Sequence, residues 1–325
     1  MNQPGLPAGF SLRPSEWADL AGVAQLIHAV CVADGDAAMA VSPEELAQEW
    51  KAPGFQLASD CWVVTDPSGK LVGVETFINR FAHASLQGDG YVHPEYTNLG
   101  IGSSLLARLE QRAQLEIALA PPNLRVFLRN CMGINENKAC AIHEDAGFMA
   151  IRYSWRMEIA LSLPPSPPNL PIGLELRRFD PHSQDLLLHL AHEDAFRDHW
   201  AHTPRSYEFW QTSVLGKSDF DPSLWFVVWD GGQIAGYSLC RSRQRIGWVG
   251  SLGVRRPWRK QGLGIALLQY SFHQLYLRGY TTIGLTVDAS SPTGATRLYE
   301  RAGMQIASEY VIYEKEYRTG MDPVE

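Results

Sequence analysis

The sequence predicts an α/β chain of two tandem domains, each a mixed α+β sheet with helices on both faces. Three observations predict it. One order of strand, glycine turn, helix, strand and short helix occurs twice: Gly262 lies 162 residues after Gly100, and Gly303 lies 156 after Gly147. That period is too long for a solenoid and suits two complete domains. Between the copies runs Leu163-Pro164-Pro165-Ser166-Pro167-Pro168-Asn169-Leu170-Pro171, which can hold neither a helix nor a central strand. Finally, 325 residues exceed what one core usually organises. The boundaries follow as a domain over 1–162, a semi-rigid extended linker over 163–172, and a domain over 173–325.

Each half is expected to run as a strand, one or two helices, a hairpin, the strand and helix joined by the glycine turn, and a closing strand pair. In the first half, Tyr91 to Gly102 opens a helix to about Leu119, Arg125 to Leu128 reads as a strand, and Ala139 to Phe148 as a short helix ended by Gly147. In the second half, Leu174 to Arg178 is a strand and Ser183 to Leu215 holds helices. Trp225 to Asp230 turns at Gly231-Gly232 into Gln233 to Arg241, the clearest hairpin in the chain. Ile246 to Val254 is the next strand, Leu263 to Arg278 its helix, Thr282 to Asp288 a strand, and Ala295 to Gly303 a short helix capped by glycine.

A net charge of -7 argues against a nucleic-acid surface. No apolar run reaches membrane length, and Met1-Asn2-Gln3-Pro4-Gly5 lacks the basic and apolar blocks of a signal peptide, so the expected location is cytoplasmic. Cys31, Cys61, Cys131, Cys140 and Cys240 are odd in number and show no paired metal spacing. Reduced, mostly buried thiols without a catalytic role are expected, and no metal.

The most informative stretch is Ser251-Leu252-Gly253-Val254-Arg255-Arg256-Pro257-Trp258-Arg259-Lys260-Gln261-Gly262-Leu263-Gly264, a strand feeding an R-x-x-G-x-G turn that opens a helix. Glycines there allow positive φ and close approach, and the helix offers free N–H groups at the positive end of its dipole, which together make an anion site. With Thr282 to Asp288 and the following A-x-x-L-Y-E-x-x-G-M, this resembles the acetyl-coenzyme A half of the GNAT superfamily of N-acetyltransferases, over residues 246 to 313. The resemblance implies two GNAT-like acyl-CoA N-acyltransferase domains and acetyl-CoA as cosubstrate. It implies that Arg259 and the backbone of Lys260, Gln261, Gly262, Leu263, Gly264 and Ile265 hold the pyrophosphate. Leu252, Gly253 and Val254 would line the pantetheine arm, and Tyr299 would face the sulfur as general acid, a phenol near its ordinary pKa.

The first copy keeps Gly100 and Gly102 but has Thr97 where the second has Arg259, and His143 where it has Tyr299. It reads as a degenerate support domain, with His143 either a proton donor or a half-buried helix residue. Among tandem members the layout is similar to that of mycothiol synthases, without shared substrate residues.

Substrate contacts are expected from His192-Glu193-Asp194-Ala195-Phe196-Arg197-Asp198-His199-Trp200-Ala201-His202, dense in titratable and aromatic groups. Glu193 and Arg197 also suit an i,i+4 pair. The strand Ile246 to Leu252 carries no acidic residue, which departs from many family members and leaves Glu193, Asp198 and His199 as candidate bases. Asp288 reads as the cap of the turn Ala289-Ser290-Ser291-Pro292. The expected function is transfer of an acetyl group from acetyl-CoA to a primary amine of a small molecule by direct attack. The alternative is a non-catalytic acyl-CoA binding or sensing protein.

Overall fold

The computed structural model describes residues 5–200, 204–216, 220–243, 245–291 and 294–323. They form two compact units, one reaching to Arg152 and including Tyr310–Pro323, the other Tyr153–Glu309.

The first unit begins with β1 (Ser11–Pro14), α1 (Leu20–Ala33), α2 (Pro43–Trp50) and α3 (Leu57–Asp60). Ser42 and Glu45 cap α2 reciprocally, with Pro43 at its first position, so the helix start is written in four residues. The β-branched run of β2 (Cys61–Thr65) turns at Asp66 to Gly69 into β3 (Leu71–Phe81), followed by β4 (Ser85–Val92). Then come α4 (Ile101–Glu116), β5 (Val126–Gly133), α5 (Asn137–Asp145) and β6 (Met149–Ala160).

The second half follows with β7 (Glu175–Arg178), α6 (Asp185–Phe196), the short α7 (Tyr207–Trp210), β8 (Trp225–Asp230) and β9 (Gln233–Arg243). It continues with β10 (Ile246–Val254), α8 (Leu263–Leu277), β11 (Thr282–Asp288), α9 (Ala295–Arg301) and β12 (Gln305–Arg318). The mixed α/β architecture is the one the pattern implies, and β8, β10 and β11 have the expected bounds.

Strand order is β1-β2-β3-β4-β5-β12 in the first unit and β6-β11-β10-β9-β8-β7 in the second. The closing strands are therefore exchanged between halves. β12 pairs antiparallel with β5, Tyr310 opposite Gly133, and β6 pairs antiparallel with β11, Thr282 opposite Ala160. This corrects the contiguous spans 1–162 and 173–325. Charge complementarity favours the exchange: Arg129 Nε meets Glu314 Oε2 at 2.8 Å, and Arg125 bonds Glu314 and Glu316 across the same pair of strands. Val311 and Tyr313 complete the first core beside Val126 and Leu128, while Met157 joins the second beside Ile283 and Leu285.

In the second unit Gly236 of β9 lets α8 sit close, since a Cβ there would be 3.1 Å from both Leu263 and Leu267. The linker holds no helix or strand, and its Pro165 carbonyl bonds the His273 ring of α8 at 2.7 Å. Among the described residues no helix is long and apolar enough to cross a membrane, and no cluster suits a metal ion. Cys31, Cys61 and Cys240 are buried free thiols, Cys140 is partly buried and Cys131 exposed.

Candidate active site

β10 pairs in parallel with β11 only at Gly247 and Trp248, and then the two strands diverge. On its other side β10 carries a bulge at Gly250 between Val249 and Ser251 before pairing resumes with β9. Bulges add twist and bend, so the strands part as a fork at this point. The Arg255 N–H bonds the Ala235 carbonyl at 3.1 Å. Antiparallel alternation then turns the N–H groups of Leu252 and Val254 away from β9, into the fork, while Gly253 bonds across to Tyr237.

Past the fork the chain takes left-handed φ at Lys260 (60°) and Gly262 (86°) and enters α8 with no side-chain cap. Ala266 is the first residue to bond back, to the Gly262 carbonyl at 3.1 Å, so the N–H groups of Leu263, Gly264 and Ile265 have no acceptor within the helix. The space above Gly262 is open, with nothing within 4 Å of a built Cβ. Open space, convergent donors and a helix dipole fit a pyrophosphate. Gln261, Gly262 and Ile265 also border a cleft of about 290 Å³ whose opposite wall is Pro168 to Pro171 of the linker.

Two assigned residues do other work. A Cβ on Gly264 would lie 2.9 Å from Leu298 Cδ1 of α9, so that glycine permits α8 and α9 to pack, leaving only its N–H for an anion. Arg259 bonds the carbonyls of Val254 (3.0 Å) and Ala195 (2.9 Å) and the Asp198 carboxylate (3.1 Å). Its guanidinium ties the loop to α6 instead of facing the helix terminus.

The structure separates the three candidate bases. Arg256 and Arg259 hold the Asp198 carboxyl down at about 2, which makes it a poor proton acceptor. His199 is exposed and its Nδ1 bonds the Trp200 carbonyl at 2.8 Å. Glu193 is half-buried, and its charge reaches Tyr237, whose phenol is raised mainly by burial. Tyr237 is fully buried and shares a 2.9 Å hydrogen bond with His192 Nδ1. Its ring lies against Gly253, where a Cβ would collide with it, so the phenol stands at the fork. Sequence reading passed over Tyr237; its signal was an aromatic one strand away, opposite a glycine. Arg197 pairs with Asp194 at 2.8 Å in place of the expected Glu193, and Asp194 also holds Arg255 at 2.7 Å. Ala201, His202 and Pro292 lie outside the described residues. Asp288 caps its turn as expected, accepting from the Ser290 N–H at 2.9 Å.

Tyr299 of α9 is buried, and burial pushes its phenol up to about 12, not the ordinary value expected. Among the described residues its hydroxyl has no partner. It is a donor that stays protonated across the neutral range. His143 is also buried, bonds the Ala139 carbonyl at 2.8 Å and has its pKa lowered by that burial.

The first unit repeats the loop: Asn98 (65°) and Gly100 (76°) take left-handed φ, and Gly102 faces Ile142 at 3.2 Å as Gly264 faces Leu298. β4 pairs with β5 from Ser85 to Gly88 and then parts; its register against β3 shifts between Asn79 and Phe81, and it runs on without a shift from Gly88 to Val92, where the strands part.

The model of the acetyltransferase (GNAT) family matches residues 28–133 and 187–304. The chain is 30% identical to a mycothiol acetyltransferase of Salinispora arenicola over 69% of this chain and 71% of that one. It is 28% identical to one of Thermobispora bispora over 70% and 75%. A solved GCN5-related N-acetyltransferase of Sphaerobacter thermophilus superposes with a TM-score of 0.85 at 36% identity, covering 98% of this chain and 99% of that one. A tandem GNAT protein from the clavulanic acid biosynthesis pathway shares the fold, with a TM-score of 0.73 at 16% identity over 96% and 99%.

Proposed function

Because this chain belongs to the GNAT family of acetyltransferases, we propose that its second unit moves an acetyl group from acetyl-CoA to a primary amine of a small molecule by direct attack. The observation that carries the reading is the fork between β10 and β11 ending in an uncapped, glycine-opened helix. As an acyltransferase the chain is an enzyme, which sets aside a non-catalytic sensor.

When bound, acetyl-CoA supplies a thioester whose carbonyl carbon the amine can attack and whose sulfur can leave. The chain's residues then divide the work. The N–H groups of Leu263, Gly264 and Ile265, with the Lys260 to Gly262 backbone, hold the pyrophosphate. The outward N–H groups of Leu252 and Val254 bond the arm and take up negative charge on the carbonyl oxygen; one such donor is worth about 3 kcal/mol. Glu193, next to Tyr237 and His192, accepts the proton that the amine must lose. Tyr299 donates a proton to the departing sulfur. Arg259 and Asp198 position the loop without touching the reacting atoms. The first unit is a support domain for this reaction, and the working location is the cytoplasm.

Calorimetric titration of acetyl-CoA into wild type and Gly262→Asp tests the reading. The aspartate has open space and tolerates left-handed φ better than most side chains, so the fold is kept while a negative charge enters the anion loop. Affinity is expected to fall at least about tenfold, the effect of some 1.4 kcal/mol. Unchanged affinity with one site would move the cofactor site out of the second unit.

A further inference from the structure

The linker lies along one face of α8. Gly262, Ile265, Gln269 and His273 recur every three or four residues and so share that face. Leu267, Leu268, Ser271 and Leu275 are buried on the opposite side, against the sheet. Over the outer face the linker runs toward the start of the helix. The Tyr276 hydroxyl donates to the Ser162 carbonyl at 3.4 Å, the His273 ring bonds the Pro165 carbonyl at 2.7 Å, and Pro168 to Pro171 reach Gln269, Ile265 and Gly262. Both ends are anchored: the Leu161 N–H donates to the Thr281 carbonyl at 2.7 Å, and Leu170 and Leu174 pack against the second core. Pro164, Pro165, Pro167, Pro168 and Pro171 fix their own φ, so the segment is stiff without being a helix or a strand.

Between this strap and α8 lies the cleft of about 290 Å³, and it begins at the anion loop, because Gly262 is both the residue that opens α8 and part of the cleft wall. A pyrophosphate held on the loop carries two arms. The fork between β10 and β11 receives one, and the cleft is a recess beside the same loop for the other. Its volume is near the low end for small-ligand sites, room for one flat heterocycle and not for a whole cofactor. Pro168, Leu170 and Pro171 supply apolar surface from the linker, Ile265 and Ala266 from the helix. Among the described residues that line it none is charged, so it suits a neutral ring and not a phosphate. Gln261 Nε2 is committed to the Pro257 carbonyl at 2.9 Å, which leaves the amides of Asn169 on the linker and Gln269 on α8 to meet a ligand. A carboxamide presents a donor and an acceptor side by side, the match for the amino group and ring nitrogen of adenine.

We propose that this cleft takes the adenine base of acetyl-CoA, with the linker as its outer wall, and that the linker thereby makes the second unit prefer coenzyme A to carriers that end at phosphopantetheine. The assignment rests on acetyl-CoA binding at the fork of the second unit, and adds to it a wall drawn from outside the repeated unit. Because proline holds that wall in place before the base arrives, little ordering is lost on binding.

The test is calorimetric titration of the full chain with acetyl-CoA and with S-acetyl-4′-phosphopantetheine, which keeps the thioester, the arm and one phosphate but has no base. The shorter ligand should bind at least about tenfold more weakly. Asn169→Ala and Gln269→Ala each remove one amide, at an exposed and a half-buried position, so the fold is kept. Each should weaken acetyl-CoA about threefold or more and leave the affinity of the shorter ligand as it was. Equal affinity for the two ligands, or variants that weaken both alike or neither, would overturn the proposal. Gly262→Asp keeps this outcome apart from the fate of the cofactor site, since it should weaken both ligands. Loss of both with that variant, alongside indifference to Asn169→Ala and Gln269→Ala, would leave the cofactor site standing and remove the base from the cleft. Indifference of both ligands to Gly262→Asp would overturn the cofactor site, and the cleft assignment with it.

Discussion

Asp198 Oδ2 accepts a hydrogen bond from Arg259 Nη1 at 3.1 Å, joining the end of α6 to the loop that opens α8. Arg256 grips the same carboxylate. Both the arginine of the R-x-x-G-x-G motif and a candidate base are thus committed to holding the loop in shape. Asp198→Asn is expected to raise KM for acetyl-CoA several-fold and leave kcat within a factor of about two, since it loosens binding without touching the chemistry. Equal falls in kcat and kcat/KM would put Asp198 in the reaction instead. The sign with pH follows from a lowered carboxyl pKa. The tie is complete above the unfolded value of 3.8 and is lost as pH falls toward about 2, so cofactor binding should survive mild acid as far as this contact is concerned.

Tyr299→Phe should lower kcat by about a hundredfold and leave acetyl-CoA affinity nearly unchanged, as removal of a general acid does. Steady-state kinetics with parallel calorimetry separates the two, and lost affinity would reassign the residue to packing. In the folded wild type the phenol holds its proton to about 12, whereas the unfolded chain releases it near 10. This contribution to stability is present below pH 10 and is lost as pH rises toward about 12, an alkaline loss that Tyr299→Phe should reduce in melting curves.

Glu193→Gln should depress kcat/KM by about a hundredfold or more and steepen its dependence on amine basicity, because the amine would have to arrive already neutral. A rate profile across amines of graded pKa checks this. An unchanged profile would remove Glu193 from the base role and direct attention to His192 and Tyr237.

Gly264→Ala should cost about 1–3 kcal/mol in denaturant unfolding, because its Cβ would stand 2.9 Å from Leu298. Gly102→Ala should cost less, since Ile142 is 3.2 Å away and its side-chain end can shift. Equal costs would show that the α4 and α5 pair of the first unit is packed as rigidly as α8 and α9.

Deleting Tyr310–Pro323 should destabilise the first unit, although the deleted residues are the last part of the sequence, because β5 then loses its antiparallel partner and the first core loses Val311 and Tyr313. Hydrogen exchange should show protection lost in Val126–Gly133 at the amides that face β12, while those paired with β4 keep part of theirs, and Thr282–Asp288, paired with β6, should stay protected. Unchanged protection at the β5 amides that face β12 would contradict the exchanged pairing.

The site was legible where its geometry is local. Left-handed φ at Gly100 and Gly262 and the uncapped helix behind each follow from a few consecutive residues, whereas the outward N–H groups of Leu252 and Val254 depend on the register with β9. Roles set by distant partners were not. A motif arginine reads as an anion contact until Ala195 and Asp198 are seen to take its donors, and Gly264 reads as part of a phosphate cradle until Leu298 is seen against it. Tyr237 carries no motif, and only its pairing opposite Gly253 brings it to the fork.

By itself the sequence determined the family, the doubling of the unit, the strands and helices around each glycine turn, and the loop conformation that suits an anion. Those rest on short-range sterics and periodicity, in which a residue's neighbours along the chain decide its backbone. Only the tertiary structure decided which strand closes each unit and which carboxylate is held down by arginine. These depend on pairings between residues far apart in sequence, where many registers satisfy the same pattern and packing and charge select one.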